Sequence, residues 1–195
     1  GIGADKQWDK FFAAYLSKVK DPLASEAGRD IVWRARTEKT VPYIAALASD
    51  NSTPINNRLR YFRAFDFNSG PSKSRLLLEM IERNKNNDVA FNKLVLRHLD
   101  IKTVTQTPVA KKALEDVLRS VYGTDEYVEL VARYEVKAEN PKLRQLAISK
   151  PNEETGRSAA ALLIELEGSG LIWEVINGGD SSQQKNLLAS LSEVG

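Results

Sequence analysis

The sequence predicts an all-α fold in which about six antiparallel helix pairs stack as a solenoid, one domain over residues 1–195. Three observations predict it. Apolar residues recur at i, i+3, i+4 and i+7 along nearly the whole chain. Pro and Gly fall where helices start and stop. The first helices of successive pairs begin near Lys6, Lys39, Ser72, Val109, Pro141 and Gly170, a period of about thirty-odd residues. A two-helix unit of that length cannot bury its own apolar face. Stacking neighbours closes a continuous core.

Taken in order, the spacing predicts about twelve helices. The first, near 5–20, carries Trp8, Phe11, Phe12, Tyr15, Leu16 and Val19 on one stripe. Others follow near 23–36, 39–49, 54–66, 72–84 and 87–99, the last two marked by Leu76, Leu77, Met80 and Ile81 and by Phe91, Leu94, Val95 and Leu99. The second half continues near 109–122, 125–137, 141–149, 152–167, 170–177 and 181–193. Asp21-Pro22, Thr53-Pro54, Thr107-Pro108 and Asn140-Pro141 read as a capping side chain before a Pro that has no amide to satisfy. Gly123-Thr124-Asp125 and Gly179-Asp180-Ser181 read as one helix ending and the next being capped. Only 100–107 resists. It is Thr-rich and β-branched, and its composition predicts an extended connection.

Composition removes several function classes. The chain has 195 residues, no Cys and one His. No disulfide framework, thiolate metal site or Cys nucleophile is possible, and any triad would have to use His98. Lys and Arg number 28 against 26 Asp and Glu, a net charge of +2 that argues against a general nucleic-acid binder. The charge is uneven: residues 1–100 hold 17 basic and 12 acidic groups (+5), and residues 101–195 hold 11 and 14 (−3). No apolar run approaches the roughly 20 residues of a membrane span, so no membrane insertion is expected. The abrupt ends at Gly1 and Gly195 read as a segment of a longer multidomain protein.

A second periodicity lies inside the pairs. Asp21 precedes Arg29 by eight residues, as Asp50 does Arg58 and Asp125 does Arg133; Ser149 precedes Arg157 at the same interval. This outline, together with Val41-Pro42-Tyr43-Ile44-Ala45-Ala46-Leu47-Ala48-Ser49-Asp50 and Gly156-Arg157-Ser158-Ala159-Ala160-Ala161-Leu162, resembles the HEAT repeat family. The third and sixth pairs depart from it: Asp88 is followed at eight by Leu96, and Asp180 by Leu188. The resemblance implies a right-handed α-α superhelix of the HEAT/armadillo kind. It also implies that Asp21, Arg29, Asp50, Arg58, Asp125, Arg133 and Arg157 fix register by bonding from repeat to repeat.

The densest cationic and aromatic cluster is Arg58 to Phe67. On a helix Arg60 and Arg63 sit one turn apart, with Leu59, Phe62 and Phe65 as candidate core. Arg34, Arg58, Arg60, Tyr61 and Arg63 are therefore the candidate partner-docking residues, because Arg and aromatic side chains anchor interfaces. Trp33 and Arg36 extend the set. His98 closes a second helix, where protonated imidazole suits the dipole, and has no assignable catalytic partner. Glu126, Glu129, Glu135, Glu139, Glu153, Glu154, Glu165 and Glu167 read as solvated faces. Gly168-Ser169-Gly170 and Gly178-Gly179 lack the Lys-Ser/Thr and the preceding strand of phosphate loops.

The expected function is a non-catalytic repeat module, a protein-interaction scaffold or inter-domain spacer with a protein partner, no cofactor and no nucleic acid. Leu59 to Phe67 also resembles a helical-repeat segment of large exported bacterial sugar-dehydrogenase and cytochrome c multidomain proteins. That resemblance implies a spacer between redox domains and an extracytoplasmic location. It implies no haem on this chain, which lacks Cys-x-x-Cys-His. A DNA glycosylase on HEAT-like repeats is the enzymatic alternative, and the charge balance fits it poorly.

Overall fold

The computed structural model describes residues 2–168, 170, 173, 177, 178 and 180–192. Among them are twelve α-helices and no strand. The helices are α1 (Ile2–Lys18), α2 (Glu26–Ala35), α3 (Val41–Ser49), α4 (Ile55–Ala64), α5 (Pro71–Arg83), α6 (Val89–Leu96), α7 (Ile101–Gln106), α8 (Pro108–Ser120), α9 (Asp125–Tyr134), α10 (Asn140–Ser149), α11 (Glu154–Glu167) and α12 (Ser181–Leu191). Short 3-10 turns cover Glu38–Thr40, Phe65–Phe67 and Lys137–Glu139. The helix expected near 170–177 lies largely outside the described residues.

The segment 100–107 is a correction. It forms α7 instead of an extended connection. Asp100 caps it by accepting from the Thr103 amide (2.8 Å) and the Thr103 hydroxyl (2.7 Å). These bonds, the hydroxyl first, hold the Asp100 carboxyl below its ordinary value. Val104 is fully buried. A cap and one buried anchor outweigh the weak helix propensity of Thr and Ile.

The Asp21-Pro22 helix start is also corrected. Asp21 instead accepts from the Leu23 amide (2.9 Å), and α2 begins four residues later behind Ser25, whose hydroxyl accepts from Gly28 N (3.0 Å). Pro54 stands just before α4, and its carbonyl takes the Asn57 and Arg58 amides (2.9 and 3.1 Å). Thr53 does not cap the helix; its hydroxyl donates to Asp50 (2.7 Å). Pro108 opens α8, and Pro141 lies in the first turn of α10. Thr124 and Asp180 cap α9 and α12 by accepting from the amides of Tyr127 (3.4 Å) and of Ser182 and Gln183 (2.9 and 2.8 Å).

The chain divides into two compact units, residues 1–114 and 115–195. In the first, α3 packs on α4 and on α5, and α5 on α6. Its core is Phe12, Val32, Ile44, Phe62, Phe65, Leu77 and Val95. Phe12 meets Tyr43 edge-on, and Phe62 meets Phe91. In the second unit, α10 packs on α11 and α12, and α11 on α9 and α12. Its core includes Tyr127, Val131, Tyr134, Leu143 and Ala147. The Tyr127 hydroxyl donates to Glu139 (2.6 Å); burial first, then that carboxylate, pushes its ionisation far upward. By sequence the first unit holds 20 basic and 12 acidic residues (+8) and the second 8 and 14 (−6).

Candidate functional site

The Asp/Arg interval of eight has a local use. Asp21 takes the Leu23 amide while Arg29 donates to the Leu23 carbonyl (2.9 Å). Arg58 donates to the Ala48 carbonyl (3.0 Å), and Arg157 to the Asn152 carbonyl (3.2 Å) and to Glu154 (3.0 Å). Each guanidinium thus reaches back over the turn that precedes its own helix, or the end of the helix before that turn, and satisfies a carbonyl there. Asp50 is occupied by Ser52 and Thr53. Those bonds, the Ser52 hydroxyl foremost, hold its carboxyl below the usual range, and Arg58 is the last of the causes. Arg29 and Arg58, expected to fix register from repeat to repeat, thus donate to carbonyls close to their own helices. Arg133 lies over its own neighbour Tyr134 (5.6 Å).

Register between pairs rests on other residues, most of which sequence reasoning did not single out for it. Arg60 donates to Asp30, Glu38 accepts from the Ser72 amide (2.8 Å), and Asp66 meets His98 Nδ1 (2.7 Å). In the second unit Thr155 donates to Asp125 and Lys150 to the Gly123 carbonyl (3.2 Å), while Asn140 donates to Glu167 from one end of the α10–α11 pair to the other. The separations run from 27 to 34 residues. That is the period of the apolar pattern, so a search for charge partners at this offset would have found several of them. Asp125, expected to bond from repeat to repeat, accepts from Thr155, 30 residues on.

The docking candidates divide between two sides of α4. At 100° per residue, Arg60 and Arg63 lie well over 100° from Arg58. Tyr61 is buried, and Arg58 points to Ala48 and lies over Phe91 of α6 (5.3 Å). Both belong to the packing, and the structure does not bring them to the exposed face. Arg34, Arg60 and Arg63 do reach one face. Trp33 Nε1 donates to the Arg60 carbonyl (3.2 Å), and the Arg60 guanidinium lies over the Trp33 ring (4.2 Å). Arg34 shares Asp30 with Arg60, at 3.8 Å. One turn on, Arg63 is exposed and makes no ion pair among the described residues. Past the helix ends, the Arg36 guanidinium covers the exposed Phe67 ring at 3.9 Å. On the far flank His98 stacks on Phe62 (5.8 Å) and bonds Asp66. Side chains link α2 to α4 through Trp33–Arg60 and α4 to α6 through Phe62–Phe91.

The acidic residues of the second unit include ordinary ion pairs: Glu139 with Lys142 (2.8 Å), Glu153 with Lys150 (2.9 Å) and Glu154 with Arg157 (3.0 Å). Among the described residues no three His, Asp or Glu side chains are grouped to hold a metal ion, and no helix is long and apolar enough to cross a membrane. An open groove of about 540 Å³ lies between α3 and α5, lined by Ala45, Ala46, Leu76, Met80, Arg83 and Phe91. In comparisons with known proteins, no family model, no curated protein and no solved structure matches this chain.

Proposed function

We propose that this chain is a HEAT-like repeat module, a right-handed superhelix of about six antiparallel helix pairs, that serves as a non-catalytic protein-interaction scaffold or spacer. The observation that carries the reading is the face built across α2 and α4. There Arg34, Arg60 and Arg63 stand beside Trp33 and Phe67, and Asp30 and the Trp33 indole hold Arg60 in place. Pair-to-pair bonds at offsets of 27 to 34 residues support the stacked arrangement. Guanidinium and aromatic groups together are the usual anchors of protein interfaces, and a rigid one loses less entropy on binding. The test is a pull-down from the native host with wild type and with Arg34→Glu/Arg63→Glu. Loss of a specific partner from the double variant is expected. Identical partner sets remove the docking role of this face.

A further inference from the structure

We propose that the occupant of this face is an acidic segment of a partner protein, its carboxylates bound by Arg36 and Arg63 and an apolar side chain resting on Phe67. This rests on the docking role just proposed and names the partner's chemistry.

The argument starts from charge that the fold leaves uncompensated. Three guanidiniums, those of Arg34, Arg36 and Arg63, lie at the C-terminal ends of α2 and α4, and Arg60 stands one turn before Arg63 in α4. Two carboxylates lie among them. Asp30 serves both Arg34 and Arg60, and Asp66 is bonded to His98. Arg36 and Arg63 are exposed and make no ion pair among the described residues. Part of that excess suits the negative ends of the two helix dipoles, each worth about half a charge. The remainder faces outward. It also sits on a unit whose residues sum to +8, which would steer an anionic partner.

The groups are arranged for a particular acceptor. The Arg36 guanidinium lies over the Phe67 ring at 3.9 Å, a contact that restrains its rotamer while the side chain stays exposed. Asp30 already shows the acceptor that such guanidiniums take here, a carboxylate held between two of them. The Phe67 ring is 54% exposed beside Arg36, an apolar surface next to a cation. A nucleic-acid backbone fits less well. Its charges repeat about every 1.7 Å of duplex, and Asp30 and Asp66, with side chains 39% and 56% exposed, would repel it from within the same face. A peptide can place its carboxylates at intervals that avoid them.

The probe is a fluorescein-labelled deca-glutamate peptide with one central Phe, followed by anisotropy at low salt with the full chain. Binding is expected. Arg36→Glu/Arg63→Glu should weaken it at least about tenfold, and Phe67→Ser about threefold. Arg75→Glu/Arg83→Glu makes the same charge change on α5, away from the face, and should leave the affinity within about twofold. Circular dichroism confirms that each variant folds, and Arg36→Gln/Arg63→Gln gives an intermediate loss without charge reversal. Absence of binding overturns the proposal. So does equal weakening by the two Glu double variants, which marks net charge alone, or competition by duplex DNA as effective as unlabelled peptide. Salt-dependent self-association lost in Arg36→Glu/Arg63→Glu would make a second copy the occupant and also overturn it. If the peptide fails while Arg34→Glu/Arg63→Glu still loses a host partner, the docking role stands and only the acidic chemistry falls.

Discussion

Replacing Gly156 with Ala is expected to destabilise the second unit, although Gly156 lies inside α11, where Ala is the better helix former by about 0.8–1.0 kcal/mol. The reason is the approach of the helix to its own turn. A Cβ at 156 would lie 1.9 Å from the Lys150 carbonyl oxygen and 2.7 Å from its carbonyl carbon. Relief requires a shift of about 1.5 Å to reach ordinary van der Waals separation. Neither atom can swing aside, because both are backbone. The Lys150 carbonyl is also held by the Glu153 amide (3.1 Å), and the Lys150 amide by the Leu146 carbonyl (2.9 Å). Moving them pries α11 from α10, on which it packs. Overpacking of this kind costs about 1–3 kcal/mol and a lost hydrogen bond about 1 more. After the propensity gain the net loss is about 1–3 kcal/mol. For a unit of this size that is about 4–8 °C of melting temperature per kcal/mol. Urea unfolding followed by circular dichroism reads it as a lowered midpoint at unchanged slope. Gly28→Ala repeats the experiment in the first unit, where the Cβ would lie 2.1 Å from the Pro22 carbonyl oxygen. Gly170→Ala is the control. Nothing lies within 4 Å of its Cβ, so it should be neutral or stabilising by up to about 1 kcal/mol. A Gly156→Ala midpoint at or above wild type would refute the close-approach argument.

Two further outcomes follow from the packing and the caps. Phe62→Ala removes a side chain 1% exposed and packed by Phe65, Phe91 and His98, and should cost about 3–5 kcal/mol in the same unfolding assay. Asp100→Ala should cost about 0.5–2 kcal/mol at neutral pH by uncapping the six-residue α7. The folded carboxyl is depressed below its ordinary 3.8, so the wild-type advantage should be full above pH 3.8 and vanish as pH falls through the lower folded value. Unfolding curves of both proteins across acidic pH check this.

Most helix positions follow from local rules. Apolar spacing and Pro or Gly punctuation place eleven of the twelve described helices within a few residues, since both act through the chain's own backbone. The exception, α7, shows the limit: Thr-rich composition points to an extended chain, and one Asp cap with a buried Val104 decides otherwise. The candidate face is legible only in part. Residue type picks out Arg34, Arg58, Arg60, Tyr61 and Arg63, but type does not say which way each points. The Ala48 carbonyl at the end of α3 draws Arg58 inward, and the core takes Tyr61.

What the sequence determined by itself was the helical class and the polarity of charge, because each is a property of residues near one another in the chain. What only the tertiary structure decided was pairing between residues some thirty positions apart. Asp30 with Arg60, Asp66 with His98 and Asp125 with Thr155 are 30 to 32 residues apart. Such bonds form only when packing brings helices distant in the chain within reach, and that packing rests on burial of side chains such as Phe62 and Leu143. The tertiary structure also shows where the Arg of the Asp-to-Arg interval goes: Arg29 and Arg58 each donate to a carbonyl just before their own helix.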